Sequence, residues 1–578
     1  MTMMPDVTSR LLPRPRSVRL AGGSTPYREP IVKVDPSLPA QGYRLRVGER
    51  EVRVDCADPA GGSYARSTLD MLRRLGGDLL PLCAIEDWPD LAVRGVMLDV
   101  SRGKVPSLAT LKDLIKRLAG WKVNQVQLYM EHTFAYSDHR EVWEKADPFT
   151  AEDIVELDSF CRALHVELVP NQNCLGHMER WLQHERYRHL AVLPDGSGHP
   201  ISALRGPTTL DPSKPGSLAL VRELLAELLP CFTSKRVHVG LDEPFELAPS
   251  RAGEYWGYVR DLRACPEMDG REMLMWGDVV SAHPEVAGLL PDGVTICEWG
   301  YEAEHPFEDR ARELAGASRL FWVCPGTSSW LSLVGRTSNA LRNCASAAEA
   351  AVRWGAQGYL VTDWGDLGHL QYLPVSEPIL AYAAAVSWCS QSNRDLDLAE
   401  AIDRHVFDDA SGEMGRAVLA LGDACGRVTP RPSNFSPLVL HLYFPMMPVG
   451  SGPTAGLTKE DLGAVEATIS DAVEALGRAR PRRADGLLVL EELSTSARLL
   501  GLLCRDARAR LAGDGTLPGV PKEVREDLAA DLAEIADSHR RLWRARNREG
   551  GLDSSVARLE RLRHAYLTLE DVPVWPQI

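Results

Sequence analysis

From about residue 93 to residue 363 the chain alternates short apolar runs with longer amphipathic ones. The apolar runs cover residues 93–100, 123–130, 166–171, 236–241, 272–277, 295–300, 319–324 and 358–363. Each has the length of a strand. The stretches at 107–120, 151–164, 213–229, 250–262 and 339–354 carry apolar residues at the three- and four-residue spacing of a helix. Thr150-Ala151-Glu152-Asp153 reads as a helix start, with a capping hydroxyl and an acidic first turn. Strands alternating with helices pair in parallel through right-handed crossovers. Eight such units in about 300 residues predict a (β/α)8 TIM barrel. An open doubly wound sheet is the alternative, but no G-x-G-x-x-G or phosphate-cradling loop follows the first strand.

The pattern differs on either side. Residues 1–92 read as a small α/β supporting domain, with strands at 17–20, 31–34, 43–47 and 51–54 and a helix at 64–75 that places Leu69, Leu72 and Leu75 on one side. After residue 391 the periodicity is helical throughout, at 396–407, 413–425, 459–479, 484–511, 522–548 and 554–568. Proline-rich connections at 429–432 and 445–453 separate these stretches. The predicted organisation is therefore 1–92, a catalytic barrel at 93–391, and a helical bundle at 392–578, read as structural or as a homodimer contact. The glycines of the turn at 546–551 read as a helix C-cap rather than as a reach toward the barrel mouth.

Composition narrows the class. With 44% hydrophobic and 25% charged residues the chain is an ordinary globular protein, and its formal net charge of -15 argues against a nucleic-acid partner. No apolar run approaches the ~20 residues of a membrane span, so no membrane partner is expected. The first residues lack the apolar core of a signal peptide. Twelve cysteines are scattered singly, with no C-x-x-C pair and no histidine spacing suited to zinc. They read as reduced core residues of a cytoplasmic protein, and no metal or organic cofactor is called for.

In a parallel barrel the chemistry sits at the C-terminal ends of the strands. Those ends here carry Asp99-Val100-Ser101-Arg102, Glu131-His132, Asn171-Gln172-Asn173 followed by Gly176-His177, Asp242-Glu243, Trp276-Gly277-Asp278, Glu298-Trp299-Gly300-Tyr301-Glu302, Cys324-Pro325-Gly326-Thr327 and Asp363-Trp364-Gly365-Asp366. Adjacent carboxylates resist joint ionisation, so one member of Asp242-Glu243 is expected to keep its proton near neutral pH, as a general acid must. Trp276, Trp299 and Trp364 beside acidic groups suit a sugar, whose C–H face stacks on aromatic rings while polar groups read its hydroxyls.

A glycosidase normally flanks its substrate with two carboxylates roughly 5–9 Å apart. Strand seven ends without one, and neighbours in sequence cannot easily stand on opposite faces of a sugar. A substrate that supplies its own nucleophile removes the difficulty. The carbonyl oxygen of a C2 N-acetyl group can attack the anomeric carbon and form an oxazoline. Glu243 would then protonate the leaving oxygen and later activate water, while Asp242 orients the acetamido N–H.

The run Arg94-Gly95-Val96-Met97-Leu98-Asp99-Val100-Ser101-Arg102 resembles the first barrel strand of family 20 glycoside hydrolases, the β-N-acetylhexosaminidases. His238-Val239-Gly240-Leu241-Asp242-Glu243 resembles that family's His-x-Gly-x-Asp-Glu motif on strand four. The likeness spans roughly residues 10–390, and the helical bundle beyond resembles a bacterial subgroup.

The resemblance implies an exo-acting, retaining enzyme that releases a terminal GlcNAc or GalNAc from a glycan or glycoconjugate. It implies that Asp242 orients the acetamido group and Glu243 is the acid/base, that Arg94 binds ring hydroxyls, and that His177, with Glu131 behind it, stands near the acid. Trp276, Trp299 and Trp364 would wall the pocket, and Asp366 would grip O4 and O6. Asn173 is a further candidate contact from strand three. The family's strand-seven tyrosine is replaced by Val323-Cys324-Pro325-Gly326-Thr327, leaving Tyr301 as a candidate for its place. Strand two ends in Glu131-His132-Thr133 rather than an Asp-Asp-Gln type run, and Gly103 replaces a bulky residue. Two other readings fit the same residues: a divalent-metal enolase-type barrel using Asp242, Asp278 and Glu298, and a sugar-binding protein without catalysis.

Overall fold

The computed structural model describes residues 7–196, 206–283, 290–428 and 432–571; most of the proline-rich connection expected at 429–432 lies outside them. The N-terminal sheet has the order β1-β5-β3-β4-β2, formed by β1 (Ser17–Pro26), β2 (Ile31–Val34), β3 (Tyr43–Val47), β4 (Val52–Cys56) and β5 (Leu79–Asp87). The helix Pro59–Gly76 buries Tyr64, Leu69, Met71 and Leu72. The β5 strand is absent from the sequence reading. Pro81 interrupts its apolar run, and proline is confined to sheet edges and irregular positions; here Pro81 pairs with Ser24, beside an irregularity in β1.

All eight barrel strands expected from the hydrophobic pattern are present. They are β6 (Val93–Asp99), β7 (Gln125–Met130), β8 (Glu167–Gln172), β9 (Arg236–His238), β10 (Glu272–Trp276), β11 (Val294–Trp299), β12 (Leu320–Cys324) and β13 (Gly358–Asp363). They close in sequence order, and β13 pairs in parallel with β6. Every residue of β6, β7 and β13 is buried, because helices cover the outside while Met97, Tyr129, Val169, Leu274, Trp276, Cys297, Trp322 and Leu360 fill the inside. The β9 strand is shorter than predicted. Gly240 (φ 69°) and Leu241 (φ 73°) leave the extended conformation.

The helix Leu373–Trp388 follows β13 and is buried on every side. A helix without a polar face shows no amphipathic period, which is why the sequence pattern does not announce it. Its Glu377 accepts from Arg483 at 2.8 Å and pairs with Arg117, so a buried charge ties the barrel to the C-terminal helices. Those helices include Lys459–Arg478, Gly486–Ala512, Lys522–Arg546 and Leu552–Thr568.

The turn after Arg546 corrects the expectation of a simple glycine cap. Asn547, the cap residue, is extended. The Ser107 N–H donates to the Arg546 carbonyl at 2.9 Å, the Arg548 N–H to the Val105 carbonyl at 2.8 Å, and Arg548 Nη2 to Asp153 at 2.7 Å. Gly551 (φ 81°) starts the next helix against the Gly103 carbonyl, a space no side chain would fit. The turn thus braces the first strand-to-helix loop. All twelve cysteines are unpaired, and among the described residues no helix is long and apolar enough to cross a membrane.

Candidate active site

A cavity of about 680 Å³ opens at the C-terminal ends of the barrel strands. Of the residues expected there, His177, Asp242, Glu243, Trp276, Trp299, Tyr301, Trp364 and Asp366 line it. Glu131 and Asn173 stand behind its wall, and Arg94 is far from it.

The loop after β9 presents the carboxylates. Leu241 and Glu243 (φ 47°) have left-handed backbones, which for residues with a side chain costs on the order of 1–3 kcal/mol each. The surroundings hold the loop firmly enough to sustain this. The Leu241 N–H donates to Asn173 Oδ1 at 3.3 Å, and Tyr255 donates to the Leu241 carbonyl at 2.9 Å. The Glu243 N–H donates to Asp278 Oδ2 at 3.0 Å, and the Trp276 N–H to the Gly240 carbonyl at 3.0 Å. Gly176 lies so close to the Asp242 carbonyl that a β-carbon there would overlap it.

Asp242 is buried, whereas the Glu243 side chain is 34% exposed. Asn173 Nδ2 donates to Asp242 Oδ1 at 3.1 Å, while His177 Nε2 lies 3.4 Å from Asp242 Oδ2 and 3.3 Å from Glu243 Oε2. Burial works against the charge on Asp242, but the His177 charge and the hydrogen bonds from His177 and Asn173 outweigh it and hold its pKa below the ordinary aspartate value. Burial likewise opposes charge on His177, yet the Asp242 carboxylate and bonds to both acids raise its pKa well above the imidazole norm. A further carboxylate beside the pair holds its proton toward neutral pH. Burial, and then the charge of Asp242, push Asp278 up to about 7.

Arg94 requires correction. It is the second residue of β6 and therefore at the opposite end of the barrel from the cavity. There its guanidinium donates to the Leu91 and Lys122 carbonyls, Gln41 Oε1 and the Tyr64 hydroxyl at 2.8–3.1 Å, joining the barrel to the N-terminal sheet. The arginine at the mouth is Arg102, three residues past the end of the same strand. It donates to Asp99 Oδ2 at 3.0 Å, lies 3.3 Å from Glu131 Oε1 and 3.4 Å from His177 Nδ1, and stacks over the Tyr129 and Trp364 rings. Glu131, pushed up to about 7 by burial against the pull of Arg102, supports it from behind. Arg102, at the C-terminal end of the strand, is where barrel chemistry belongs, whereas Arg94 at the N-terminal end is not.

The aromatic walls are interlocked. Trp276 is fully buried, with its ring 5.7 Å from Trp364. Trp299 stacks on Tyr301 at 5.2 Å, and its Nε1 faces Asp278 Oδ1 at 3.5 Å. Trp364 Nε1 donates to the Tyr301 hydroxyl at 2.8 Å. Tyr301 occupies the side of the cavity adjoining β12. Gly326 permits this, since a β-carbon there would come within 2.8 Å of Tyr301 and 2.6 Å of Trp330. Asp366, also on the cavity wall, is pushed up to about 6, chiefly by burial. Ser433 and Asn434, from beyond the barrel, complete that wall; no motif marks them in the sequence.

The enolase-type triad is not assembled as a ligand set. Glu298 accepts from Ser281 Oγ at 2.8 Å and faces His305 Nε2 at 3.2 Å. Among the described residues, the potential ligand atoms that converge within 4.8 Å belong to His177, Asp242 and Glu243.

Comparison with known proteins agrees with the strand-end chemistry. Residues 92–314 match the model of the glycosyl hydrolase family 20 catalytic domain, and residues 8–88 match that family's domain 2. Among curated relatives, a lacto-N-biosidase of Bifidobacterium bifidum is 22% identical over 331 residues, covering 53% of this chain and 29% of that protein. A β-hexosaminidase of Vibrio furnissii is 25% identical over 251 residues, 37% of this chain and 39% of its own length. A β-N-acetylhexosaminidase of Cellulomonas fimi is 25% identical over 356 residues, 57% and 67% respectively. The chain thus spans well under half the length of the first two. Among solved structures, an exo-β-N-acetylglucosaminidase of Vibrio harveyi in complex with N-acetylglucosamine superposes with a TM-score of 0.56 at 17% identity, over 70% of this chain and 78% of that one. At that identity the likeness concerns the fold. The two family models together cover more than half of the sequence and enclose Asp242, Glu243, His177 and Arg102; the chain belongs to glycosyl hydrolase family 20.

Proposed function

We propose that this protein is an exo-acting β-N-acetylhexosaminidase that releases a terminal GlcNAc or GalNAc with retention, using the substrate's own acetamido group as nucleophile. The observation that carries this reading is the unequal environment of the adjacent pair. Asp242 is buried and held ionised by His177 and Asn173, while Glu243 projects into the cavity beside it. In the first step the acetamido oxygen bonds to C1 as the C1–O bond to the leaving group breaks, and protonated Glu243 gives its proton to that oxygen. Asp242 accepts a hydrogen bond from the acetamido N–H and balances the positive charge of the oxazolinium ion. In the second step the Glu243 carboxylate takes a proton from water, whose oxygen bonds to C1 and reopens the ring.

Two inversions at C1, the first by the acetamido oxygen and the second by water entering on the face the leaving group vacated, give retention. Trp276, Trp299 and Trp364 would enclose the sugar and its acetamido methyl, Tyr301 would donate to the acetamido carbonyl, and Arg102 with Asp366 would read hydroxyls. The family relatives named as hexosaminidases support the substrate class, and twelve unpaired cysteines support a reducing compartment. The test is turnover of an aryl β-N-acetylglucosaminide and its galacto epimer. Glu243→Gln should abolish it, and Asp242→Asn should lower kcat by about 10²-fold or more; normal turnover in Glu243→Gln would overturn the reading.

A further inference from the structure

The wall formed by Ser433 and Asn434 belongs to the chain beyond the barrel, yet it lines the same cavity as Tyr301, Trp364 and Asp366. Asn434 has a left-handed backbone, φ 68°, a conformation asparagine adopts more readily than most residues. Three bonds fix it. Its main-chain N–H donates to Glu302 Oε1 at 2.6 Å, and Glu302 is itself gripped by both Nη atoms of Arg336 at 2.9 and 2.5 Å. Its side-chain Oδ1 accepts from Trp330 Nε1 at 2.9 Å.

An indole N–H can only donate, so it dictates which end of the Asn434 amide is oxygen. The Nδ2 end is therefore turned to Asp366, with its nitrogen 3.4 Å from Asp366 Oδ2. That distance is at the long limit of a hydrogen bond, which leaves donor capacity at Nδ2 and acceptor capacity at Asp366 side by side on one wall. A hydroxyl group, with one proton and two lone pairs, satisfies both.

We infer that Asn434 is a substrate-binding residue, its amide donating to a hydroxyl oxygen of the terminal sugar whose own proton is accepted by Asp366. This rests on the hexosaminidase reading above. C1 is served by Glu243 and the C2 acetamido group by Asp242, so the hydroxyl concerned is one at C3, C4 or C6. The segment after the barrel then takes part in choosing the substrate instead of serving only as a scaffold.

The test uses the full chain, an aryl β-N-acetylglucosaminide and its 3-, 4- and 6-deoxy analogues. A site built to bond a hydroxyl discriminates against the analogue lacking it. Asn434→Ala should lower kcat/KM on the parent by about 10- to 100-fold, mainly through KM, and on one deoxy analogue by less than about threefold. Asn434→Asp keeps an acceptor for Trp330, loses the donor and sets a second carboxylate against Asp366. It should lose at least as much on the parent and again spare the same analogue. No loss, or an equal loss on all four substrates in both variants, overturns the inference and leaves the hexosaminidase reading standing. A wild-type protein that cleaves none of the β-hexosaminides overturns that reading, and this one with it.

Discussion

The main-chain N–H of Glu243 donates to the buried carboxylate of Asp278 at 3.0 Å. The bond joins the loop after β9 to the loop after β10 and fixes the strained backbone from which Glu243 projects. It also places a third acid beside Asp242 and Glu243.

A pH signature follows from that crowding. Burial and the neighbouring charges raise the Asp278 pKa to about 7, above the ~3.9 of an unfolded aspartate. The folded protein therefore holds a proton there that the unfolded chain has released. The stability linked to this proton is fully present below about pH 4 and is lost as pH rises through 7. Asp278→Asn cannot ionise and still offers an oxygen to the Glu243 N–H. Its melting temperature should fall less between pH 5 and pH 8 than that of the parent, whose Glu131 and Asp366 titrate in the same sense. An unchanged slope would remove Asp278 from the set of buried protons.

The two arginines of the first barrel segment should separate cleanly on mutation. Arg102→Ala removes a guanidinium that touches Asp99, Glu131 and His177 at the cavity, so kcat/KM is expected to drop by about 10²-fold or more with little change in secondary structure. Arg94→Ala instead unpairs buried carbonyls between the barrel and the N-terminal sheet, which should cost about 2–4 kcal/mol in denaturant unfolding. Residual folded Arg94→Ala protein should keep a near-normal KM. A raised KM there, with unchanged stability, would return Arg94 to the sugar site.

Gly176 offers a third check. A β-carbon at this position would overlap the Asp242 carbonyl, so Gly176→Ala must push the loop after β9 away from His177. Activity should fall by more than about 10²-fold, since displacement of a catalytic group by an ångström is enough for that. Far-UV circular dichroism should change little, because no barrel strand contains the residue. Wild-type kinetics in this variant would show that the loop has room the structure does not provide.

The sequence by itself determined the barrel. Eight apolar runs separated by amphipathic stretches admit few other arrangements, because a strand buried on both faces and a helix with one apolar side leave a local period that can be counted. It also marked the adjacent acids Asp242 and Glu243 at the end of the fourth strand, which the structure places at the cavity. Elements without a local period escaped: β5, interrupted by Pro81, and the helix Leu373–Trp388, buried all round.

What only the tertiary structure decided is which residues meet. A strand lifts its first and last residues to opposite ends of the barrel, so Arg94 and Arg102, eight positions apart in one motif, serve different interfaces. The raised pKa of Asp278 has no sequence signal, because a pKa depends on burial and on charges that only folding brings together. Asn434 reaches the cavity from beyond the last strand, held by Trp330 and Glu302. Contacts across more than a hundred residues leave no spacing to read, and Asn434 is held at the cavity by two of them.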